Sequence, residues 1–545
     1  MNTKIIKTRL ISLISISGLL VGLVIGVPTS AQAADPQCAT ANYVTQCAGA
    51  TSDSALFTLM APANFNGTLL LWSHGLRPNI DIPAGIPSYG GYTVNNAAEF
   101  APGLSSGDYT VMRALLAKGY GLAGSGFARQ GVNVTAGVAA NVELIAAFKK
   151  KFPTTKHVVA WGASLGTQIT QTLAETHPEL IDSAVLGCPA TAPGAAMIKY
   201  FGDFMWAFKT FFDPTIKGFG YSEGAAGKLE AYQDMQKFFV ALSKVSAGTA
   251  TGAWPDTASP AGKALQAAGI PVRSAMTLVG LIAGVPLRSQ HVDGNSAPVG
   301  SETGFELAYA PAIAAAENGG TVGLAEILLM HDGESQTGGI VFDNSATDYS
   351  AQIAEDRDIY SAALGGNTPT DALLNVLAAS PRVKGSATAM AKVSTLLPMV
   401  GKINVPTVLL TAESDQFTVA GTAQFLIDSY KVQYAETKAA AMAAAKKSRS
   451  YAAPVNKLLP LWDKTPETYT VFKGASPDLS APSGRGTGHC LFTNNQWLTA
   501  VDLAVGAAQN GKFVNDATAS VAALRAKLSL DRKFRVPVMR GLQEQ

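Results

Sequence analysis

Ser164, Asp415 and His489 are the residues whose types, order and surroundings could do covalent chemistry in this chain. Ser164 lies in the stretch His157–Gly166, HVVAWGASLG, an apolar, β-branched run that ends in Gly-x-Ser-x-Gly. A helix-forming stretch, Thr167–Ala174, follows at once. The pattern reads as strand, sharp turn, helix. A serine at the apex of such a turn sits in strained backbone geometry, so Gly162 and Gly166 must be small enough for strand and helix to approach. Its hydroxyl is then exposed at a helix N-terminus, where the backbone N–H of Leu165 points at the charge that develops on an attacked carbonyl. Gly-x-Ser-x-Gly alone is a common string whose plain alternative is a tight turn. The strand-to-helix setting is what favours a nucleophile.

Such a nucleophile needs an acid and then a base further along the chain, and a second oxyanion donor upstream. The acid is expected at Asp415, because Val405–Thr411 reads as a buried strand and the carboxylate follows its end, opening a helix. Glu413 competes for the role, and Asp415 could instead be only a helix N-cap. The base is expected at His489, in the Gly-rich segment Gly484–Thr493 ahead of a helix over 496–508; no other histidine follows Asp415. Upstream, a strand over 68–73 runs into His74-Gly75-Leu76-Arg77, where Gly75 frees the backbone to present the N–H of Leu76. The plain alternative is a strand-end histidine packed in the core. His157, His177, His291 and His331 show no ligand spacing, and neither a metal nor an organic cofactor is expected.

The elements that must hold these residues follow from hydrophobic patterning. Strands are expected at 54–62, 68–73, 120–124, 157–163, 182–187 and 405–411, with helices at about 105–118 and 136–151 between them. Strands alternating with helices in this way predict a mostly parallel sheet covered on both faces. The loop 77–103, rich in Pro, Gly and Asn, is expected to line a substrate entrance. The rhythm breaks over 191–400, where a dense aromatic stretch, Tyr200–Phe212, is followed by helical segments. This segment reads as a large, mainly helical lid inserted between the sixth and seventh strands, its aromatic residues forming the lid's own core. The rhythm resumes in 401–545, with an Ala/Lys-rich surface helix at 434–447 and a last strand at 468–472.

These residues resemble the α/β-hydrolase superfamily over roughly 55–200 and 400–510. The resemblance implies a catalytic triad of Ser164, Asp415 and His489, with Leu165 and Leu76 as oxyanion donors. It implies acyl transfer to serine and hydrolysis of an ester. Two departures narrow it. The His-Gly-Gly-Pro-Gly loop of related proline-releasing peptidases is replaced by His74-Gly-Leu-Arg-Pro78. The tannase and feruloyl-esterase group, with cysteines beside both serine and histidine, is half matched: Cys490 follows His489, but Ala163 precedes Ser164. A carboxylic-ester hydrolase is therefore expected, on a small-molecule or polymeric substrate that is apolar or aromatic. A serine peptidase or amidase on the same fold is the alternative, ahead of an acyltransferase or a silent binding protein.

The chain has 545 residues, of which 47% are hydrophobic and 15% charged, with a formal net charge of +2, which gives no electrostatic case for nucleic acid. Residues 1–33 read as a secretory signal: Lys4, Lys7 and Arg9, an apolar core over 10–27, then Ala31-Gln32-Ala33. The apolar run is long enough to anchor in a bilayer, but Pro28 and the Ala-x-Ala site favour removal. The expected product is a secreted protein without stable membrane insertion, its hydrolase core at 34–190 and 401–545 flanking the lid at 191–400. In an oxidising compartment the four cysteines predict two disulfides, with three possible pairings. Cys38 and Cys47 are neighbours in sequence, which leaves Cys188 for Cys490.

Overall fold

The computed structural model describes residues 35–543 apart from 88, 302–303, 399, 449–450 and 452, so the leader read at 1–33 lies outside the described residues. Twelve strands are found among them: β1 (Gln37–Ala41), β2 (Val44–Ala50), β3 (Leu56–Pro62), β4 (Thr68–Ser73), β5 (Gly121–Ser125), β6 (His157–Ala163), β7 (Ser183–Gly187), β8 (Thr407–Ala412), β9 (Leu458–Asp463), β10 (Phe472–Lys473), β11 (Ser476–Pro477) and β12 (Ser529–Leu530). Ten of them form one sheet in the order β1-β2-β3-β5-β4-β6-β7-β8-β9-β12. The run from β5 to β9 is parallel throughout, while the pairs linking β1, β2, β3 and β5, and the pair β9–β12, are antiparallel. This is the mostly parallel, helix-flanked sheet of the α/β-hydrolase fold.

The central strands are apolar at nearly every position because both of their faces are covered. All residues of β4, β7, β8 and β9 are buried. On one face Leu69, Leu71, Val158 and Ala160 pack against Val138, Leu144, Ile169 and Leu173 of the helices Val134–Lys151 and Leu165–Thr176. On the other, Leu70, Trp72, Val159 and Trp161 meet the helices Thr110–Ala117 and Asn494–Asn510. Trp72, Trp161 and Trp497 form an edge-on cluster there, with centroids 4.6 to 6.1 Å apart. Gly187 leaves the room that Trp497 occupies, since a Cβ at that position would collide with the indole.

Between β7 and β8 the described chain forms helices, the longest being Gly194–Phe212, Gly224–Thr251, Ala310–Thr337 and Asn367–Ala379. Phe201, Phe204, Phe208, Phe211 and Phe212 are fully buried, and their cluster is continuous with the face of the sheet that Val134–Lys151 and Leu165–Thr176 cover. No helix among the described residues is long and apolar enough to cross a membrane.

Three elements differ from expectation. The last parallel strand is β9, not 468–472, of which only Phe472 enters a two-residue hairpin with β11 outside the main sheet. Pro460 hid β9 from a reading of pattern, because proline argues against a central strand. β12 pairs with β9 only at Leu461 and Trp462, making β9 a near-edge strand where proline is tolerated. The helix expected at 434–447 runs over Ala420–Ser448, and its first half buries Ala423, Leu426 and Ile427 against Leu409 and Leu458. The β1–β2 hairpin was not anticipated. Its first strand, QCATA, is wholly exposed and carries little apolar pattern; the Cys38–Cys47 disulfide joins directly opposed residues of the pair.

Candidate active site

Ser164 stands between β6 and the helix Leu165–Thr176 with φ 55° and ψ −128°, a region that L-residues avoid. The two glycines of the motif make this turn possible. A Cβ on Gly162 would lie 2.5 Å from the carbonyl oxygen of Gly166, and a Cβ on Gly166 would collide with the carbonyl of Ser73. The Ser164 N–H donates to Gly187 O at 3.1 Å, and the Thr167 hydroxyl donates to Ser164 O at 2.6 Å. The turn is thereby tied to the end of β7 and to its own helix.

Asp415 follows β8 and is buried. The N–H groups of Phe417 and Thr418 donate to its Oδ1 at 2.7 and 2.9 Å. His489 places Nδ1 2.9 Å from Asp415 Oδ2 and Nε2 2.9 Å from Ser164 Oγ. An Nδ1–H tautomer fits both contacts, leaving Nε2 to accept from the serine hydroxyl. The two loops are paired directly: Ser414 N–H donates to Gly486 O at 2.9 Å and Gly488 N–H to Ser414 O at 3.0 Å. The Phe417 ring stacks on the imidazole at 4.6 Å. Glu413, the competing acid, instead accepts from the N–H and hydroxyl of Thr465 at 2.8 and 3.1 Å.

The Cys188–Cys490 disulfide joins the residue after His489 to the residue after β7. Cys188 and Cys490 both adopt positive φ, 45° and 55°, like Ser164. These two sulfurs and a ring nitrogen of His489 lie within 4.8 Å of one another. Bonded to each other, the sulfurs are not the thiolates that a metal would need. Of the remaining histidines, His291 is bonded to Glu317 at 2.7 Å and to Ala481 O at 3.0 Å. His157 and His177 sit near Asp182 and Glu179, and His331 near Tyr221.

The upstream loop packs against the serine: a Cβ on Gly75 would be 3.2 Å from Ser164 Cβ. Among the described residues neither the N–H of Leu76 nor that of Leu165 has a hydrogen-bond acceptor. His74 is buried, and its Nδ1 lies 2.7 Å from Gly75 O. Burial, helped by the charge of Arg77, pushes its pKa down to about 4.

Next to Ser164 lies an apolar pocket with a free volume of about 30 Å³. Leu76 and Leu165 line it from the sheet side, and Met197, Phe201, Leu329 and Leu397 from the inserted helical segment. Sequence reading did not single out these last four. Only Phe201 had a signal, as part of the aromatic stretch, and nothing local distinguishes a pocket-lining leucine from a core one.

No protein-family model and no curated protein matches this sequence. Solved structures overlap with it only loosely. A ligand-bound form of the rice cell wall degrading esterase LipA from Xanthomonas oryzae is 12% identical, with a TM-score of 0.31 over 80% of this chain and 92% of its own. Feruloyl esterase B from Aspergillus oryzae is 12% identical, with a TM-score of 0.34 over 87% and 83%. A second esterase from Aspergillus oryzae is 11% identical, with a TM-score of 0.28 over 77% and 71%. Overlap this loose says nothing of what the chain acts on. The fold stands on its own strand order, and the site on its own distances.

Proposed function

We propose that this chain is an exported serine hydrolase that cleaves carboxylic esters, with Ser164 as nucleophile. The observation that carries the reading is the continuous set of contacts on a strained serine: Ser164 Oγ to His489 Nε2 at 2.9 Å, and His489 Nδ1 to Asp415 Oδ2 at 2.9 Å. His489 takes the serine proton as Oγ attacks the ester carbonyl, and Asp415 orients the imidazole and stabilises its cation. The unpartnered N–H groups of Leu165 and Leu76 hold the oxyanion. The alcohol leaves with the proton from His489, and water, activated by the same imidazole, releases the acid.

The lining of the pocket gives no support to the aminopeptidase-like alternative, since none of its side chains is a carboxylate that would receive a substrate amine. Its small volume supports a short, apolar acyl group. The segment 191–400 acts as the lid, supplying Met197, Ile198, Phe201, Leu329 and Leu397 to the wall of this pocket. Export rests on the leader pattern at 1–33, and the disulfides Cys38–Cys47 and Cys188–Cys490 are compatible with it. The test is hydrolysis of p-nitrophenyl esters of increasing acyl length by the wild type and by Ser164→Ala. Turnover of the short esters that disappears in the variant supports the reading; turnover that survives Ser164→Ala removes it.

A further inference from the structure

Leu76 borders a second cavity, quite unlike the apolar pocket. It measures about 550 Å³ and runs from His74–Leu76 along Tyr89, Tyr92 and Asn95. Asn95 also borders an adjoining hollow of about 370 Å³, walled in part by Asn79, Asn96 and Gln130. Both volumes fall in the range of small-molecule sites.

The charges in this cleft are already matched within the protein. Arg77 pairs with Glu99 at 2.9 Å, and Glu99 also accepts from Trp72 Nε1 at 3.0 Å. Arg129 pairs with Asp332 at 2.6 Å. An ionic ligand would find no uncompensated partner among these groups. What remains is neutral hydrogen-bonding capacity and an aromatic face. Asn95 and Asn96 are exposed, and Tyr89 is 40% exposed. Gln130 is buried, with its Oε1 unpartnered among the described residues. Amides that both donate and accept match hydroxyl groups, which do the same, while a tyrosine face matches the C–H face of a ring.

We propose that this cleft is the alcohol-side subsite, and that the substrate is a short-chain acyl ester of a neutral polyhydroxyl alcohol, a sugar or a smaller polyol. This deepens the ester-hydrolase reading and rests on it. Gly75 lines the cleft, and a Cβ on it would lie 3.2 Å from Ser164 Cβ, which sets the cleft's inner end beside the nucleophile. Oγ adds to the acyl carbon to give the oxyanion, and as this collapses the carbon–oxygen bond to the alcohol breaks. The departing oxygen takes its proton from His489, and the free polyol is released through the cleft. The two sides of the scissile bond thus differ: about 30 Å³ of purely apolar space for the acyl group and about 550 Å³ of mixed aromatic and polar lining for the alcohol.

The test compares methyl 6-O-acetylglucoside, glyceryl monoacetate, ethyl acetate and p-nitrophenyl acetate on the wild type and on a Tyr89→Ala/Asn95→Ala double variant. Neither substituted residue belongs to the catalytic machinery. The expected result is a wild-type kcat/KM about tenfold or more higher on a hydroxylated acetate than on ethyl acetate, lost in the double variant through KM while ethyl acetate is unaffected. A preference for the glucoside alone assigns a sugar ring; equal preference for the glyceryl ester assigns small polyols. Equal wild-type kcat/KM on hydroxylated and ethyl acetates, or a preference the double variant retains, overturns the proposal. If not even p-nitrophenyl acetate is cleaved, the ester-hydrolase reading fails on its own account. Calorimetry with methyl glucoside and glycerol then decides the cleft: saturable binding that the double variant loses sustains it, and absence of binding overturns it.

Discussion

The carbonyl of Gly75 and the N–H of Leu76 are opposite ends of one trans peptide, so whatever fixes one end fixes the other. His74 Nδ1–H donates to that carbonyl at 2.7 Å, leaving the Leu76 N–H directed away from it. With its pKa near 4, the imidazole stays neutral at working pH and keeps a single donor orientation. His74→Phe retains an aromatic ring beside Phe127, whose centroid lies 4.5 Å away, but removes the donor. If the Leu76 N–H serves as an oxyanion donor, kcat on p-nitrophenyl acetate should fall about 10- to 100-fold with little change in KM. His74→Asn, which keeps an N–H on a short side chain, should recover part of the loss. A rise in KM with kcat intact would reduce His74 to a packing residue. At this scale the sequence was readable where each side chain had a local signal: Ser164 between its glycines, Asp415 at a strand end, His489 in a glycine-rich loop. It was silent on His74 Nδ1, because a contact to the next residue's carbonyl depends on backbone direction, and on Met197, Leu329 and Leu397, which only tertiary packing brings to Ser164.

At the scale of elements, the question is what holds the histidine loop and the inserted helices in register with the sheet. The loop has two backbone hydrogen bonds to Ser414 and a disulfide to the end of β7. The Cys188–Cys490 bridge spans 302 residues of sequence, so its removal releases a long loop in the unfolded chain. Replacing both cysteines by alanine is expected to cost about 2–5 kcal/mol, seen as a lower urea midpoint, and to lower kcat/KM on p-nitrophenyl acetate as His489 loses its tether. The helix Ala310–Thr337 is tied down by Asp332, which is 2% exposed. It accepts from Asn79, Arg129 and the Val132 N–H, each at 2.6 Å, and from Gln336 at 3.1 Å. Asp332→Asn leaves the shape but removes the charge facing Arg129, which is partly exposed and stays solvated, and puts an amide donor against other donors; it should cost about 1–3 kcal/mol in urea unfolding. The first tie was readable by elimination, since Cys38 and Cys47 are close in sequence and leave Cys188 for Cys490. The second was not: it joins residues two hundred or more positions apart through one carboxylate that looks like any other helix-surface acid. The parallel strands were readable because burial on both faces writes continuous apolar runs. β9 escaped because its proline mimics a break.

Across the whole molecule, the inserted helices carry acids in their interior, and this couples stability to pH. Glu326 is fully buried, with neither carboxylate oxygen partnered among the described residues. Burial, reinforced by Asp234 and Glu334, pushes its pKa well above the usual carboxylate range. Burial raises Glu334 to about 7, although the N–H groups of Gly220 and Tyr221 pull the other way at 2.9 and 2.7 Å. For both acids the unfolded chain gives up its proton near the ordinary value of 4.5, while the folded chain holds on to it. The folded state binds more protons in that interval, so stability falls as pH rises; for Glu334 the fall runs from 4.5 to about 7 and amounts to about 3 kcal/mol. His74 acts with the opposite slope: its depressed pKa means stability is lost as pH drops from 6.5 towards 4. The wild-type profile therefore mixes two opposing effects, and the difference between variant and wild type is the cleaner measurement. Glu326→Gln replaces a protonated acid by a neutral side chain of the same shape, so it should be nearly silent at pH 5 and increasingly stabilising towards pH 8. Urea midpoints of the two proteins at pH 5, 6.5 and 8 test this. A gap that widens with pH supports a carboxyl kept neutral in the helical core, whereas a constant gap means that Glu326 ionises in the folded protein much as it does in the unfolded chain.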